Sequence, residues 1–202
     1  TRELYTVRVR GVDPMQAITV ISSTTGAVFL AELGDKTMIS TAALAMRTRR
    51  FAVILILSTL AFTVANTVAV MVAWTLRYVI SRFLVNVIAA ALFIGVGAWM
   101  LVRDGEEPGE LRKGLAPYFL AVVLAEMGDK TQLTVFTVTL ATGYPHYVLI
   151  GGIVGYAMAN ALGIIIAKII GKGVPWCKMK VLASTILVCI GLWLLIETLL
   201  SA

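Results

Sequence analysis

One acidic motif, E-x-G-D-K-T, occurs twice in the chain and contains the residues best suited to chemistry. The two copies supply carboxylates, ammonium groups and hydroxyls, at Glu32, Asp35, Lys36 and Thr37 and again at Glu126, Asp129, Lys130 and Thr131. On an unbroken helix, residues three and four apart share a face, so each copy would present two carboxylates beside one ammonium group. Without His or Cys nearby, these hard oxygen ligands favour Ca²⁺, Mn²⁺ or Mg²⁺ over Zn²⁺ or Cu²⁺. The motifs therefore predict a metal site.

Three amide side chains could complete this oxygen-rich site. Gln132 follows the second motif, while Asn66 and Asn160 are either further ligands or interhelical hydrogen-bond partners, and the sequence leaves both readings open. Gly34 and Gly128 stand between the acids of each motif, where a missing side chain permits the helix to unwind and expose carbonyl oxygens. The four carboxylates and two ammonium groups of the motifs carry a net charge of −2. One divalent cation or two protons would neutralise that charge, which predicts exchange of one for the other.

The elements that position these residues must be transmembrane helices. The 202-residue chain is 59% hydrophobic and 14% charged, and a soluble domain of this length has too little interior for that balance. Apolar stretches lie at residues 17–46, 51–76, 83–102, 115–142, 147–170 and 181–200. Each could cross a hydrocarbon core of about 30 Å, which takes about 20 helical residues. The motifs fall inside the first and fourth stretches. A charge at that depth costs at least about 2.5–3.5 kcal/mol. Salt bridges that only join helices are therefore a weaker explanation, because apolar packing would join them at a lower desolvation cost.

The two halves of the chain are related by an internal repeat at an offset of 94 residues. The repeat extends over three successive stretches, since Ala65-Asn66 aligns with Ala159-Asn160, and Gly97 and Trp99 align with Gly191 and Trp193. An odd number of spans per half makes the second half enter the membrane in the opposite orientation. We predict an all-α polytopic membrane protein with six transmembrane helices in two inverted three-helix repeats, residues 17–102 and 115–202. A polar N-terminal segment, 1–16, and a polar linker, 103–114, complete the chain.

The duplicated E-x-G-D-K-[ST] motifs in the first and fourth spans resemble those of a family of calcium and manganese/proton antiporters. That family includes a human Golgi transmembrane protein whose loss impairs glycosylation, its yeast relative, chloroplast manganese transporters and bacterial manganese exporters. The resemblance covers nearly the whole chain. It implies that Glu32, Asp35, Glu126 and Asp129 bind the transported ion, with Lys36, Thr37, Lys130 and Thr131 matching the rest of the motif.

Two other function classes compete with an antiporter. A passive divalent-cation channel is the stronger of them, because it could use the same ligands. An intramembrane aspartyl protease is weaker: Leu33 and Met127 occupy the position where its G-x-G-D motif has Gly, and a lysine follows each Asp. A lysine there would disturb two aspartates that share one proton. We therefore expect a secondary transporter that is not an enzyme and needs no resident cofactor.

The distribution of basic residues indicates the surroundings of the protein. The formal charge of +6 sits mostly at the edges of the spans, which points to lipid headgroups rather than nucleic acid. Ten Lys and Arg residues lie in 47–50, 103–113 and 168–180, against five at the other ends of the spans. The positive-inside rule then places both termini outside, and we expect a prokaryotic plasma membrane. A monomer and a homodimer both remain open.

Overall fold

The computed structural model describes residues 13–102, 114–170 and 176–200, and this part of the chain is α-helical without strands. Its helices are α1 (Pro14–Glu32), α2 (Lys36–Thr48), α3 (Phe51–Leu76), α4 (Arg82–Val102), α5 (Leu115–Glu126), α6 (Lys130–Thr142), α7 (Pro145–Ile170) and α8 (Trp176–Leu200). The all-α class is as predicted. Most of the predicted N-terminal segment 1–16 and of the linker 103–114 lies outside the described residues.

Five of these helices are long and apolar enough to cross a membrane. They cover Pro14–Glu32, Phe51–Leu76, Phe83–Val102, Pro145–Ile170 and Cys177–Leu200. Several such spans make the chain an integral, multi-pass membrane protein. The predicted stretch 115–142 differs from this group because it is divided between α5, with 12 residues, and α6, with 13 residues. At about 1.5 Å per residue, neither half could cross the hydrocarbon core alone.

Both motif-bearing stretches are broken at the motif glycine, as the sequence predicts. Gly34 has a φ of +71° and Gly128 a φ of +81°, in the left-handed region that favours glycine. The first helix ends at Glu32 and the next begins after Asp35, which is the N-cap of α2. The expectation that Glu32 and Asp35 share one face of a continuous helix is therefore wrong. Because of the break, the positions of the two carboxylates are not fixed by the geometry of a single helix.

Helices α4 and α8 form the most extensive pair, and they pack through equivalent glycines. A Cβ on Gly97 would lie 2.9 Å from the carbonyl oxygen of Ser184, and one on Gly191 would lie 3.0 Å from that of Ala90. Ser184 and Ala90 are themselves 94 positions apart, so each helix presents the same positions to the other. Small residues permit this approach where lipid removes the hydrophobic drive for helix association.

Helices α3 and α7 also meet at equivalent positions. The rings of Phe62 and Tyr156 stack with centroids 4.4 Å apart, and these residues are separated by the same 94 positions. On its other side α7 packs against α1, where a Cβ on Gly151 would lie 2.6 Å from the carbonyl oxygen of Ile21. Small residues of α7 therefore allow α1 to approach closely.

The two broken stretches differ in how well other helices cover them. Helix α1 packs against α7, α6 and α8, whereas α5 packs mainly against α3. Leu33, at the first break, is 8% exposed, while the equivalent Met127 is 59% exposed. Two nearly identical motifs therefore lie in unlike surroundings.

Candidate metal site

Three carboxylates from both motifs meet between the broken helices. One oxygen each of Glu32, Asp35 and Asp129 lies within 4.8 Å of the other two. The centre of an equilateral triangle with 4.8 Å edges is about 2.8 Å from each corner, so a tighter triangle approaches the 2.3–2.6 Å of Ca²⁺–oxygen bonds. The arrangement can therefore surround one hard cation. Glu32 is fully buried, and Asp35 and Asp129 are partly exposed.

The fourth predicted carboxylate, that of Glu126, is not a member of this three-carboxylate group. It is fully buried at the end of α5, and neither of its oxygens has a hydrogen-bond partner among the described residues. Oε2 of Glu32 is likewise without a partner in that part of the chain. Buried carboxylate oxygens are costly when unpaired, so these atoms are available to a cation or a proton.

Residues of the second motif contact carboxylates of the first. The ammonium group of Lys130 pairs with Oδ1 of Asp35 and lies 3.3 Å from Oδ2 of Asp129. The hydroxyl of Thr131 donates a hydrogen bond to Oε1 of Glu32. The equivalent lysine, Lys36, is exposed, so the two motif lysines lie in different surroundings. The second motif thus supplies side-chain contacts to both carboxylates of the first motif.

The ends of the broken helices also act on the site electrostatically. Asp35 and Asp129 are the N-caps of α2 and α6, where unpaired N–H groups and the helix dipole favour negative charge. Oδ2 of Asp35 accepts a hydrogen bond from the backbone N–H of Thr37 at 3.3 Å. Thr37 is buried, and it contacts the site through this backbone N–H. The half-helix N-termini therefore stabilise ionised carboxylates at the break.

The side-chain amide of Gln132 is engaged with the backbone. Its Oε1 accepts from the N–H of Gly128 at 2.7 Å, and its Nε2 donates to the carbonyl of Ala65 at 2.9 Å. In the first motif Met38 has the equivalent place, with Sδ 3.4 Å from the N–H of Gly34. Met38 and Gln132, each four residues after the motif glycine, therefore stabilise the break between the helices. Gln132 is used in this way and does not point into the carboxylate group.

Asn66 and Asn160 are fully buried and make the same contacts in the two halves. The Nδ2 of Asn66 donates to the carbonyl of Phe62 at 3.0 Å, and that of Asn160 donates to the carbonyl of Tyr156 at 3.1 Å. Their Oδ1 atoms have no partner among the described residues. The amides are thus tied to their own helices, and each keeps one free oxygen acceptor.

A cavity of about 1030 Å³ lies among α1, α4, α6 and α8. Its lining on α1 includes Ser22, Ser23, Gly26, Ala27 and Leu30, a stripe that ends two residues before Glu32. Polar side chains of the other helices also line it, namely Asn86, Thr142, Glu197 and Thr198.

Asn86 and Glu197 were not singled out in the sequence, although a signal was available. Asn86 is the only amide or hydroxyl residue of α4, and Glu197 is the only acidic residue of α8. Polar residues inside apolar helices tend to face a water-filled cavity or the protein interior. A search for isolated polar residues within each span would therefore have found them.

Comparisons with known proteins relate the chain to divalent-cation transporters. Residues 20–108 and 114–202 each match the sequence model of a family described as "Divalent cation/proton antiporter GDT1". The two matched segments start and end 94 positions apart, the offset of the internal repeat. A protein of Vibrio cholerae serotype O1 named "Putative manganese exporter" is 29% identical over 169 residues, which cover 81% of this chain and 82% of that protein. No solved structure matches the chain.

Proposed function

The chain belongs to the GDT1 family of divalent cation/proton antiporters, and on that premise we propose that it exchanges Mn²⁺ or Ca²⁺ for protons across a membrane. Family and relative alike point to a divalent-cation transporter rather than an enzyme. The observation that carries the proposal is the meeting of Glu32, Asp35 and Asp129, because it joins both motifs around one cation-sized space. Glu126, with two unpartnered oxygens, is the fourth acid of the same exchange site.

The chemistry of the ligands supports Mn²⁺ or Ca²⁺ as the cargo. All candidate ligands are oxygen atoms, and the Vibrio cholerae relative carries manganese in its name. Mg²⁺ requires near-ideal octahedral geometry and loses water reluctantly, whereas Ca²⁺ accepts irregular sets of oxygen ligands. A site assembled from two broken helices is better suited to the less demanding ions.

An inverted repeat accounts for the geometry of the site. In our proposal residues 17–102 and 115–202 form two three-span halves, with α1 and α2 together as the first span and α5 and α6 as the fourth. The support comes from the equivalent contacts of Gly97 with Ser184 and of Gly191 with Ala90. The stacking of Phe62 on Tyr156 adds a second pair of equivalent positions. Inverted repeats place such broken helices near the bilayer midplane, where substrate and coupling ions bind.

The cavity between α1, α4, α6 and α8 is the proposed route from one side of the membrane to the site. Its lining on α1, in which Ser22 and Ser23 are the polar members, runs toward Glu32, and Glu197 adds a carboxylate that attracts cations. The cavity lies near the C-terminal ends of α6 and α8 and the N-terminal half of α4. In our proposal this side faces outward in a prokaryotic plasma membrane, because the basic residues of the opposite loops favour the cytoplasm.

Flux measurements in proteoliposomes test the proposal. An imposed Mn²⁺ or Ca²⁺ gradient should drive protons in the opposite direction and acidify or alkalinise the lumen, even against a proton gradient. A passive channel would move the metal without moving protons against their gradient. That result would contradict exchange and favour a channel. Empty liposomes and a protein with Glu32→Gln provide the controls.

A further inference from the structure

The ammonium group of Lys130 already occupies part of the site that the proposed function assigns to a metal ion. It pairs with Asp35 of the first motif and with Asp129 of its own, and its side chain is 7% exposed. A divalent cation bridging Glu32, Asp35 and Asp129 requires the same two carboxylates. Repulsion between the ammonium group and the cation therefore opposes simultaneous contact of both with these carboxylates.

We propose that Lys130 is a built-in competitor of the transported cation: its ammonium group pairs with Asp35 and Asp129 when the metal is absent and is displaced from them when the metal binds. The inference rests on the proposed function, because it names a positioning residue of that same site. Lys130 stays charged throughout, and only the position of its ammonium group changes.

Charge balance supports a movement in which the ammonium group leaves Asp35 and Asp129 but stays near the site. Glu32, Asp35 and Asp129 with Lys130 carry a formal charge of −2, and one divalent cation brings this group to zero. The lysine stem is flexible, so its ammonium group can move aside while remaining near the carboxylates. When the metal leaves, the ammonium group returns and prevents buried carboxylates from remaining unpaired, a state that is strongly unfavourable. The competitor thus lowers affinity and speeds release.

The two copies of the motif place their lysines in different surroundings. Lys36 occupies the equivalent position at the start of α2, but its side chain is exposed while that of Lys130 is buried. A lysine that only stabilised a helix end would not need to reach across to the other motif. The contact between Lys130 and Asp35 joins the two halves of the protein at the site itself.

The test compares metal affinity with transport rate in the full-length protein. Lys130→Met removes the charge but retains an apolar stem, and Lys130→Arg retains a charge that grips carboxylates through two parallel hydrogen bonds. We expect Lys130→Met to bind Mn²⁺ about tenfold more tightly and to turn over more slowly, because release loses its replacement cation. Lys130→Arg should bind Mn²⁺ more weakly than the wild type. Lys168→Met, which removes an exposed lysine at the end of α7, is the control.

Calorimetric titration with MnCl₂ in detergent and half-saturation of flux in proteoliposomes give the two readouts. Should Lys130→Met be poorly folded, the Lys130→Arg variant still decides, since unchanged or tighter binding there contradicts competition. Weaker Mn²⁺ binding by folded Lys130→Met would show a purely structural ion pair and would overturn the inference. A wild type that binds none of the cations would instead overturn the proposed function, so the two failures are distinguishable.

Discussion

Thr131 donates a hydrogen bond to the carboxylate of Glu32, a residue 99 positions earlier in the chain. The equivalent pair, Thr37 and Glu126, does not repeat this arrangement, because both oxygens of Glu126 lack a partner in the described part of the structure. The site is therefore asymmetric although the motifs that build it are nearly the same. The predictions below use this asymmetry and the matched positions of the two halves.

Replacing Thr131 should do more harm than replacing Thr37. Thr131→Val keeps the shape but removes the donor to Glu32, leaving another buried carboxylate oxygen unpaired at a cost of about 1–3 kcal/mol. Thr37→Val preserves the backbone N–H that contacts Asp35 and should cost less. Thermal unfolding in detergent and Mn²⁺ titration would measure both. Equal losses in the two variants would argue against the asymmetry.

The acids of the motifs should be indispensable for exchange. Glu32→Gln and Glu126→Gln retain size but lose the charge and the proton-binding group, so each should abolish metal-driven proton flux. Proton uptake by proteoliposomes after a Mn²⁺ jump is the measurement, with gel filtration to verify folding. Glu106→Gln, in the linker predicted from the sequence, is the control and should exchange normally. Normal flux with either motif variant would remove that acid from the site.

The α4–α8 interface should distinguish two glycines on the same helix. A Cβ on Gly97 would lie 2.6 Å from Cγ2 of Val188 and 2.9 Å from a backbone carbonyl, whereas one on Gly95 meets nothing within 4 Å. Gly97→Ala should therefore lower stability by about 1–3 kcal/mol through overpacking. Gly95→Ala should be neutral or raise stability by up to about 1 kcal/mol, because alanine favours the helix.

The second half of the chain offers a repeat of this experiment. Gly191→Ala should resemble Gly97→Ala, since its Cβ would approach the backbone N of Ile94 at 2.8 Å. Thermal unfolding of the three variants in one detergent is sufficient. A tolerated Gly191→Ala beside a damaging Gly97→Ala would contradict the equivalence of the two contacts.

The proposed route should be accessible to water. In a protein lacking Cys177 and Cys189, Ser23→Cys and Asn86→Cys should react with a membrane-impermeant thiol reagent in proteoliposomes. Val64→Cys, which lies exposed in the middle of α3 where lipid is expected, should react far more slowly. Reaction at all three positions to the same extent, or at Val64→Cys alone, would exclude this cavity as the route.

Competition among cations should follow the chemistry of the ligands. Mn²⁺ and Ca²⁺ should suppress one another's uptake at lower concentrations than Mg²⁺, because Mg²⁺ gives up its water reluctantly. Uptake of one ion at a fixed concentration with increasing amounts of the others gives the order. Mg²⁺ competing as well as Mn²⁺ would indicate a different site geometry.

Much of the architecture can be predicted from the sequence because it depends on local patterns. Long apolar stretches are obliged to form helices in lipid, since a membrane supplies no partners for free backbone groups. Gly34 and Gly128, placed between acids in stretches longer than one crossing, predict the breaks that the structure contains. The repeat follows from aligned residues alone, as Ala65-Asn66 and Ala159-Asn160 illustrate.

The sequence by itself determined which residue types could bind a cation and that they occur in two equivalent sets. It could not determine which set supports the other, because the two motifs differ only at Leu33 and Met127. Only the tertiary structure decided that Lys130 is buried against Asp35 while Lys36 is exposed, and that Glu126 lies outside the three-carboxylate group. The physical reason is that helices distant in the sequence cover α1 and leave α5 exposed, so identical side chains meet different neighbours and different degrees of desolvation.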